Sequence, residues 1–221
     1  MNNPTNEQFK KKFDFIASRY DKVSNLYSVS RRFEFVIRNV DGLTLEVGSG
    51  TALASEKIKN LVCTDISFNM CKMAKKRNPE VVCCDAEMLP FRDNIFCTII
   101  SAEMIYYLRN PQNFILCSKR ILKGGGNLLI SMANKDTKFV DKIRSILRKI
   151  GISNTYFDDG LIEFMALEHL INLLTSHGFI IDSIEKRVLI PFFLFDKINQ
   201  ILEATILNRF AILIFIKATR K

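Results

Sequence analysis

The chain has 221 residues, of which 48% are hydrophobic and 25% charged, with a formal net charge of +9. That balance suits one globular domain with a sizeable core, spanning 1–221, and excludes a disordered or low-complexity chain. Six cysteines without a C-x-x-C pair, and only two histidines, argue against a bound metal and point to free thiols in a reducing, cytoplasmic compartment.

The first residues, MNNPTNEQFKKKF, lack the apolar stretch of a secretory signal. Phe9, Phe13, Ile16 and Tyr20 recur at helical spacing, so 7–38 is expected to be helical, interrupted at Ser24 or Asn25. Asp41-Gly42 marks a turn, and strand–helix alternation follows it. Leu43–Val47 is expected as a strand, Leu53–Lys59 as a short helix and Leu61–Asp65 as a second strand. A helix is expected over Asn69–Arg77, stopped by Asn78-Pro79, then a third strand over Val81–Cys84. Phe96–Ser101 is a continuous apolar run of the kind a parallel sheet buries on both faces. A helix over Asn113–Leu122 should break at Gly124–Gly126 before a fifth strand, Asn127–Met132. The order predicts an α/β fold: a doubly wound, mostly parallel seven-stranded sheet, capped by N-terminal helices over 1–40.

After Ala133 the rhythm changes. Helices are expected over Lys138–Ile150, Leu167–Ser176 and Leu194–Leu207, with a loop over Gly151–Asp159 and strands over Phe179–Val188 and Phe210–Ala218. The segment 135–175 reads as a helical insertion after the fifth strand. Cys63, Cys83, Cys84 and Cys97 fall in apolar runs and are expected as buried small hydrophobes. Neither apolar stretch near the carboxyl end offers the roughly 20 apolar residues of a spanning helix, which leaves room only for peripheral membrane contact. Lysines and arginines are spread over 10–12, 75–77, 119–123 and 217–221, which fits a solvated basic surface better than a nucleic-acid patch.

Chemistry gathers at the expected carboxyl ends of the strands, the edge where open α/β sheets bind ligands. Glu46-Val47-Gly48-Ser49-Gly50 follows the first strand, Asp65 the second, Asp85-Ala86 the third and Ser101-Ala102-Glu103 the fourth. A strand, a tight glycine turn and a helix start bring backbone N–H groups against a ligand, and glycine allows the close approach.

In that order, LEVGSGTA, CTDIS, CCDAEMLPFRDNIF and LKGGGNLLI resemble the class I S-adenosylmethionine-dependent methyltransferases. The match is closest to the small-molecule branch that includes quinone methyltransferases, and it covers roughly residues 10–135. The resemblance implies S-adenosyl-L-methionine as cofactor and methyl transfer to a small acceptor. It sets the methionine portion against Gly48 and Gly50, with Ser49 and Ser101 nearby, and gives Glu46 to the ammonium end. It gives Asp65 to the ribose hydroxyls, Asp85 and the Ala86 N–H to adenine, and Ile66 and Met70 to the adenine ring. Arg19-Tyr20-Asp21 matches the covering N-terminal helix, from which Tyr20 would reach the methionine carboxylate.

Departures from the family pattern are Ala52 at a frequent third glycine, Phe96-Cys97 for Phe-Asp, Gly124 for proline, and Tyr107 for a histidine. The last removes any carried-over base at that position. Candidates for orienting or deprotonating an acceptor are Glu103, Tyr106 and Tyr107, with Tyr156 or His169 from the later segment. Phe139, Tyr156, Phe157, Phe164 and Met165 are expected as an apolar acceptor wall, with Val188–Phe195 as a rim. Three other readings compete. A dinucleotide oxidoreductase would want a third glycine near Leu53. A nucleic-acid methyltransferase acting on amino groups would carry Asn/Asp-Pro-Pro-aromatic after the fourth strand. A relative could also keep the fold without transfer.

Overall fold

The computed structural model describes residues 5–23, 26–134, 165–187, 196–205, 208 and 210–221. Thr5 opens helix α1 (Asn6–Ile16) with a reciprocal capping box. Its hydroxyl accepts from the Gln8 N–H while the Gln8 side chain accepts from the Thr5 N–H. A 3-10 turn (Ala17–Arg19) and a short α2 (Tyr20–Val23) follow, then α3 (Leu26–Asn39).

Among the described residues seven strands form one sheet in the order β3-β2-β1-β4-β5-β7-β6. They are β1 (Thr44–Val47), β2 (Leu61–Asp65), β3 (Val81–Cys83), β4 (Phe96–Ala102), β5 (Leu122–Ala133), β6 (Phe179–Arg187) and β7 (Leu213–Arg220). The first five run parallel, while β7 lies antiparallel to both β5 and β6. This is the doubly wound, mostly parallel sheet expected from the alternation. Alternate residues of one strand enter opposite cores, as the two-residue period demands. Ile99, Leu128, Ile130, Ile214 and Ile216 pack on one face with Phe114 and Leu170. Ile100, Leu129 and Phe215 pack on the other with Phe35 and Val36. The covering helices are α5 (Pro111–Ile121) and α6 (Leu167–Ser176) on the first face and α3 on the second.

Helix α4 (Phe68–Ala74) is capped by Ser67, whose hydroxyl accepts from the Met70 N–H. It is shorter than the expected Asn69–Arg77. The expected helix after the glycine turn is only a 3-10 turn, Leu53–Glu56. The glycine run does not separate helix from strand either. Residues 124–126 lie within β5, which begins directly at Leu122 opposite Phe96. Glycine permits this because Gly125 sits at φ +74, open to the left-handed region. The last strand begins three residues later than expected, at Leu213 rather than Phe210, and the helix before it, α7, spans Asp196–Glu203. The expected helix over Lys138–Ile150 and loop over Gly151–Asp159 lie outside the described residues.

Buried charge ties the antiparallel flank to the N-terminal helices. Glu203 of α7, with 5% of its side chain exposed, pairs with Arg31 of α3 at 3.3 Å and Arg187 of β6 at 3.1 Å. Such pairs fix register more surely than they stabilise, because desolvation offsets their attraction. All six cysteines are free. Cys63 is buried as expected, but Cys83 is exposed because β3 is an edge strand. Among the described residues no helix is long and apolar enough to cross a membrane, and no cluster could hold a metal ion.

Candidate functional site

The carboxyl ends of β1, β2 and β4 converge under the N-terminal helices. The chain leaves β1 through Gly48 at φ +71 and Gly50 at φ +55, values L side chains rarely adopt. A Cβ on Gly48 would meet the Met104 side chain at 2.5 Å, whereas one on Gly50 would meet the Tyr20 ring at 3.4 Å. The close approach at Gly48 is thus to Met104, and Tyr20 closes over Gly50 from above.

Glu46 and Asp65, the two carboxylates at the ends of β1 and β2, differ in their surroundings. Glu46 is buried, and its Oε2 has no hydrogen-bond partner among the described residues. Burial pushes its pKa up to about 8, opposed by the nearby Arg32 and reinforced by Asp65. Asp65 is also buried, but its Oδ2 accepts from the Gly50 N–H and its Oδ1 from the Ser67 N–H, both at 2.9 Å. Burial still raises its pKa to about 6, against the lowering effect of those backbone bonds. A buried, unpartnered carboxylate is costly, and a cationic group is its natural complement. An unpartnered carboxyl beside one held by backbone donors leaves this strand edge able to receive a cationic group at Glu46 and hydroxyl donors at Asp65.

Asp85 at the end of β3 is half-buried. Its Oδ1 accepts from the Glu87 N–H at 2.9 Å, and its Oδ2 accepts from the Asn6 side-chain amide of α1 at 2.7 Å. The helix thus reaches the residue expected to meet adenine. Ala86 and Ile66 are partly exposed. Met70 is fully buried with Ile16 and Ala17, beneath the α1–α4 junction. Ser49 donates its backbone N–H to the Thr64 carbonyl, and Ser101 is buried with no partner for its Oγ among the described residues.

Tyr20 lies at the centre. Burial raises its pKa, opposed by Arg32 and reinforced by Asp65, Glu103 and Glu46. It is therefore a neutral hydroxyl among three carboxylates and one guanidinium.

Glu103, just past β4, holds φ +55, a strained value for a residue with a side chain. Its Oε2 accepts from the Tyr106 hydroxyl at 2.9 Å and its Oε1 from the Ser131 hydroxyl at 3.2 Å. Burial and the neighbouring Glu103 push the Tyr106 pKa well up, so it remains a donor. Tyr107 meets the ring edges of Phe9 and Phe13, each at 5.2 Å, and lies 4.9 Å from Tyr106. Of the remaining candidates, His169 is exposed on α6, and Met165 packs against the sheet core. Tyr156, Phe139, Phe157, Phe164 and the Val188–Phe195 rim lie outside the described residues.

Several residues emerge only from the fold. Asp14 of α1 accepts from the Ser67 hydroxyl at 2.5 Å and the Asn69 N–H at 2.9 Å, pinning the covering helix to α4. Asp21 accepts from the Thr51 hydroxyl and pairs with Arg77 at 2.7 Å, tying α2 to the glycine turn. Glu87 accepts from the N–H groups of Arg109 and Asn110. Asp21 directly follows Tyr20 in the Arg19-Tyr20-Asp21 triplet, so a signal existed for it. Asp14 carried none, since an acidic residue on an amphipathic helix usually faces water.

A family model described as a methyltransferase domain matches residues 45–130, the span that holds these strand ends. An uncharacterised protein of Methanocaldococcus jannaschii is 29% identical over 170 residues, covering 76% of this chain and 80% of that one. The demethylmenaquinone methyltransferase of Renibacterium salmoninarum is 28% identical over 132 residues, covering 54% of this chain and 56% of that enzyme's length. Among solved structures, an S-adenosylmethionine-dependent methyltransferase of Thermotoga maritima superposes with a TM-score of 0.74 at 20% identity, covering 96% of this chain and 99% of that one. A geranyl diphosphate C-methyltransferase of Streptomyces coelicolor, bound to S-adenosyl-L-homocysteine, reaches 0.61 at 14% identity, covering 87% and 79%.

Proposed function

We infer from this chain, which belongs to the class I S-adenosylmethionine-dependent methyltransferases, that it methylates a small apolar acceptor. The observation that carries the reading is the row of carboxylates Glu46, Asp65 and Asp85 at consecutive strand ends, around one glycine turn. Adenosylmethionine supplies an already activated methyl on a sulfonium, so the protein's task is to hold the acceptor in line and exclude water. Positioning of this kind contributes up to about 7–11 kcal/mol of barrier reduction.

In this reading Glu46 faces the ammonium end, Asp65 takes the ribose hydroxyls with the lone pairs its backbone donors leave free, and Asp85 takes the adenine amine in place of or alongside Asn6. Glu103 is the group that orients or deprotonates the acceptor, fixed by Tyr106 and Ser131. An apolar acceptor is supported by the aromatic cluster of Phe9, Phe13, Tyr106 and Tyr107 beside Glu103. It is also supported by the names of relatives that act on quinones and of a neighbour that acts on an isoprenoid diphosphate.

Calorimetric titration of adenosylmethionine into the purified chain tests the cofactor, and a labelled-methyl screen over quinols, isoprenoids, small amines and RNA tests the acceptor. Saturable binding and label in an apolar product are expected. Absence of binding at millimolar ligand defeats the whole reading; label found only in RNA defeats the acceptor class.

A further inference from the structure

Two basic segments that lie apart in the chain meet on one outer face. Asp14 of α1 accepts from the Ser67 hydroxyl and the Asn69 N–H at the start of α4, and the Asn69 side-chain amide donates to the Asp14 carbonyl at 3.2 Å. Ile16, Ala17 and Met70 are buried between the two helices. Residues 10–22 and 68–77 together hold nine lysines and arginines against two aspartates, a balance of +7 in a chain of net +9. Lys12 lies over the rings of Phe13 and Tyr107, and the other eight are exposed. Both aspartates are turned to the protein, Asp14 to α4 and Asp21 to Thr51 and Arg77. Charge that reads as spread along the chain is thus gathered where α1 packs on α4.

Two phenylalanines stand within this charge. Phe15 and Phe68 are 68% and 64% exposed, although phenylalanine ordinarily goes to the core. They are neighbours, since Phe15 follows Asp14 and Phe68 lies between Ser67 and Asn69. Lys11 and Arg19 lie one helical turn to either side of Phe15, with the Arg19 guanidinium 5.6 Å from the ring. Lys72 and Lys75 lie one and two turns beyond Phe68. Glu7 pairs with Lys11 at 3.0 Å, but both side chains are exposed, so another anion can compete for the lysine. Exposed aromatic rings inside a cationic rim mark an interaction surface. These rings stand out from the outer faces of two helices, the form of an interfacial anchor rather than of a groove that stacks bases.

We propose that the outer faces of α1 and α4 dock on an anionic lipid bilayer. Phe15 and Phe68 enter the boundary between head groups and acyl chains, while Lys11, Arg19, Lys72 and Lys75 lie along the lipid phosphates with their apolar stems on the surface. The docking goes beyond the transfer reading and needs none of its residue assignments. On its inner face α1 carries Phe9 and Phe13 against Tyr107, so one helix separates the docked surface from the candidate acceptor side. An apolar acceptor dissolved in the bilayer then reaches the site without crossing water. That use rests on the apolar-acceptor reading; the docking itself does not.

The test is sedimentation of the full chain with vesicles of phosphatidylcholine alone and of equal parts phosphatidylcholine and phosphatidylserine, at low and high salt. The unaltered chain should partition to the anionic vesicles at least about tenfold more strongly than to the neutral ones, at about fivefold per surface lysine or arginine, and salt should weaken the binding. Phe15→Ser combined with Phe68→Ser should lose at least about tenfold, because the apolar insertion is gone. Lys72→Gln combined with Lys75→Gln should lose about as much. All four side chains are exposed, so both variants should melt with the unaltered chain in the absence of lipid. Equal partition of the unaltered chain to both vesicles, or to neither, overturns the proposal without needing any variant. Anionic binding that the phenylalanine pair does not change overturns it as well, since bare charge then suffices. Binding to single-stranded RNA without binding to vesicles assigns the face to nucleic acid and overturns it too. A chain that docks on anionic vesicles but binds no adenosylmethionine sustains the docking and defeats the methyltransferase reading alone.

Discussion

The ends of β1 and β2 lie side by side and carry one buried carboxylate each, yet they are built on opposite principles. Glu46 is left with an unpartnered oxygen and a pKa of about 8. Asp65 is held by two backbone N–H groups and also braces the turn it faces, joining Gly50 to the start of α4. The difference separates two roles that sequence alone merges. The β2 end uses its carboxylate partly for its own architecture, whereas the β1 end leaves a buried carboxyl that holds its proton up to about pH 8 and whose charged form only a cationic ligand would favour. Removing Asp65 should therefore damage both fold and binding, and removing the charge of Glu46 should damage binding while relieving the fold.

The largest effect is expected from Asp65→Ala. Two buried N–H groups lose their acceptor, at about 1–3 kcal/mol each. Denaturant unfolding should show a loss of at least about 2 kcal/mol, with adenosylmethionine binding weakened together with it. Full stability with weakened binding would mean that the brace is not needed.

Glu46→Gln is expected to move the two measurements apart. Cofactor affinity should fall at least about tenfold, while the ligand-free chain gains on the order of 1 kcal/mol at about pH 8, because a buried uncompensated charge is gone. A variant that is destabilised and binds normally would reverse the assignment of the two carboxylates.

A smaller effect follows from pH. Both groups have folded pKa values raised above their ordinary values of 4.5 and 3.8. The folded chain thus holds more protons than the unfolded one between the ordinary carboxylate range and about 8. Their contribution to stability is complete below the ordinary range and drains as pH rises through about 6 for Asp65 and about 8 for Glu46. The melting temperature of the ligand-free chain should decline across this window, and Glu46→Gln should flatten the upper part of the decline. An identical slope in the variant would show that Glu46 is ionised throughout.

Asn6→Ala is the mildest test. It removes the 2.7 Å contact by which α1 reaches Asp85. Because the helix remains pinned through Asp14, adenosylmethionine affinity should change only a few-fold, as expected for one partly exposed hydrogen bond. A loss as large as that of Asp65→Ala would make α1, rather than the strand ends, the main cofactor determinant.

The two strand ends were not equally legible. Both carboxylates could be found from the sequence because each closes an apolar run at a turn, and that pattern is local. Their difference could not, because the donors to Asp65 come from the glycine turn fifteen residues earlier and from the start of the next helix. The glycine run at 124–126 misled for a related reason. As punctuation it suggests a break before the strand, but Leu122 already pairs with Phe96 of β4, and the glycines are taken up as an irregularity in that pairing before Asn127 pairs with both β4 and β7. Cys83 reads as buried from its apolar neighbours, and only its place on an edge strand exposes it.

By itself the sequence determined the alternation of strands and helices, the doubly wound sheet, the glycine turn and the carboxylates at the ends of the first four strands. These rest on periodicity and turn chemistry within a few residues. Tertiary structure alone decided which of two adjacent arginines faces the site, which carboxylate has a partner, and which acidic residues of the first helices pin them down. Those outcomes depend on what packs opposite each side chain. The shared pocket of Arg32 and Glu46, and the contacts of Asp14 with Ser67 and of Asn6 with Asp85, join segments that the chain order keeps apart.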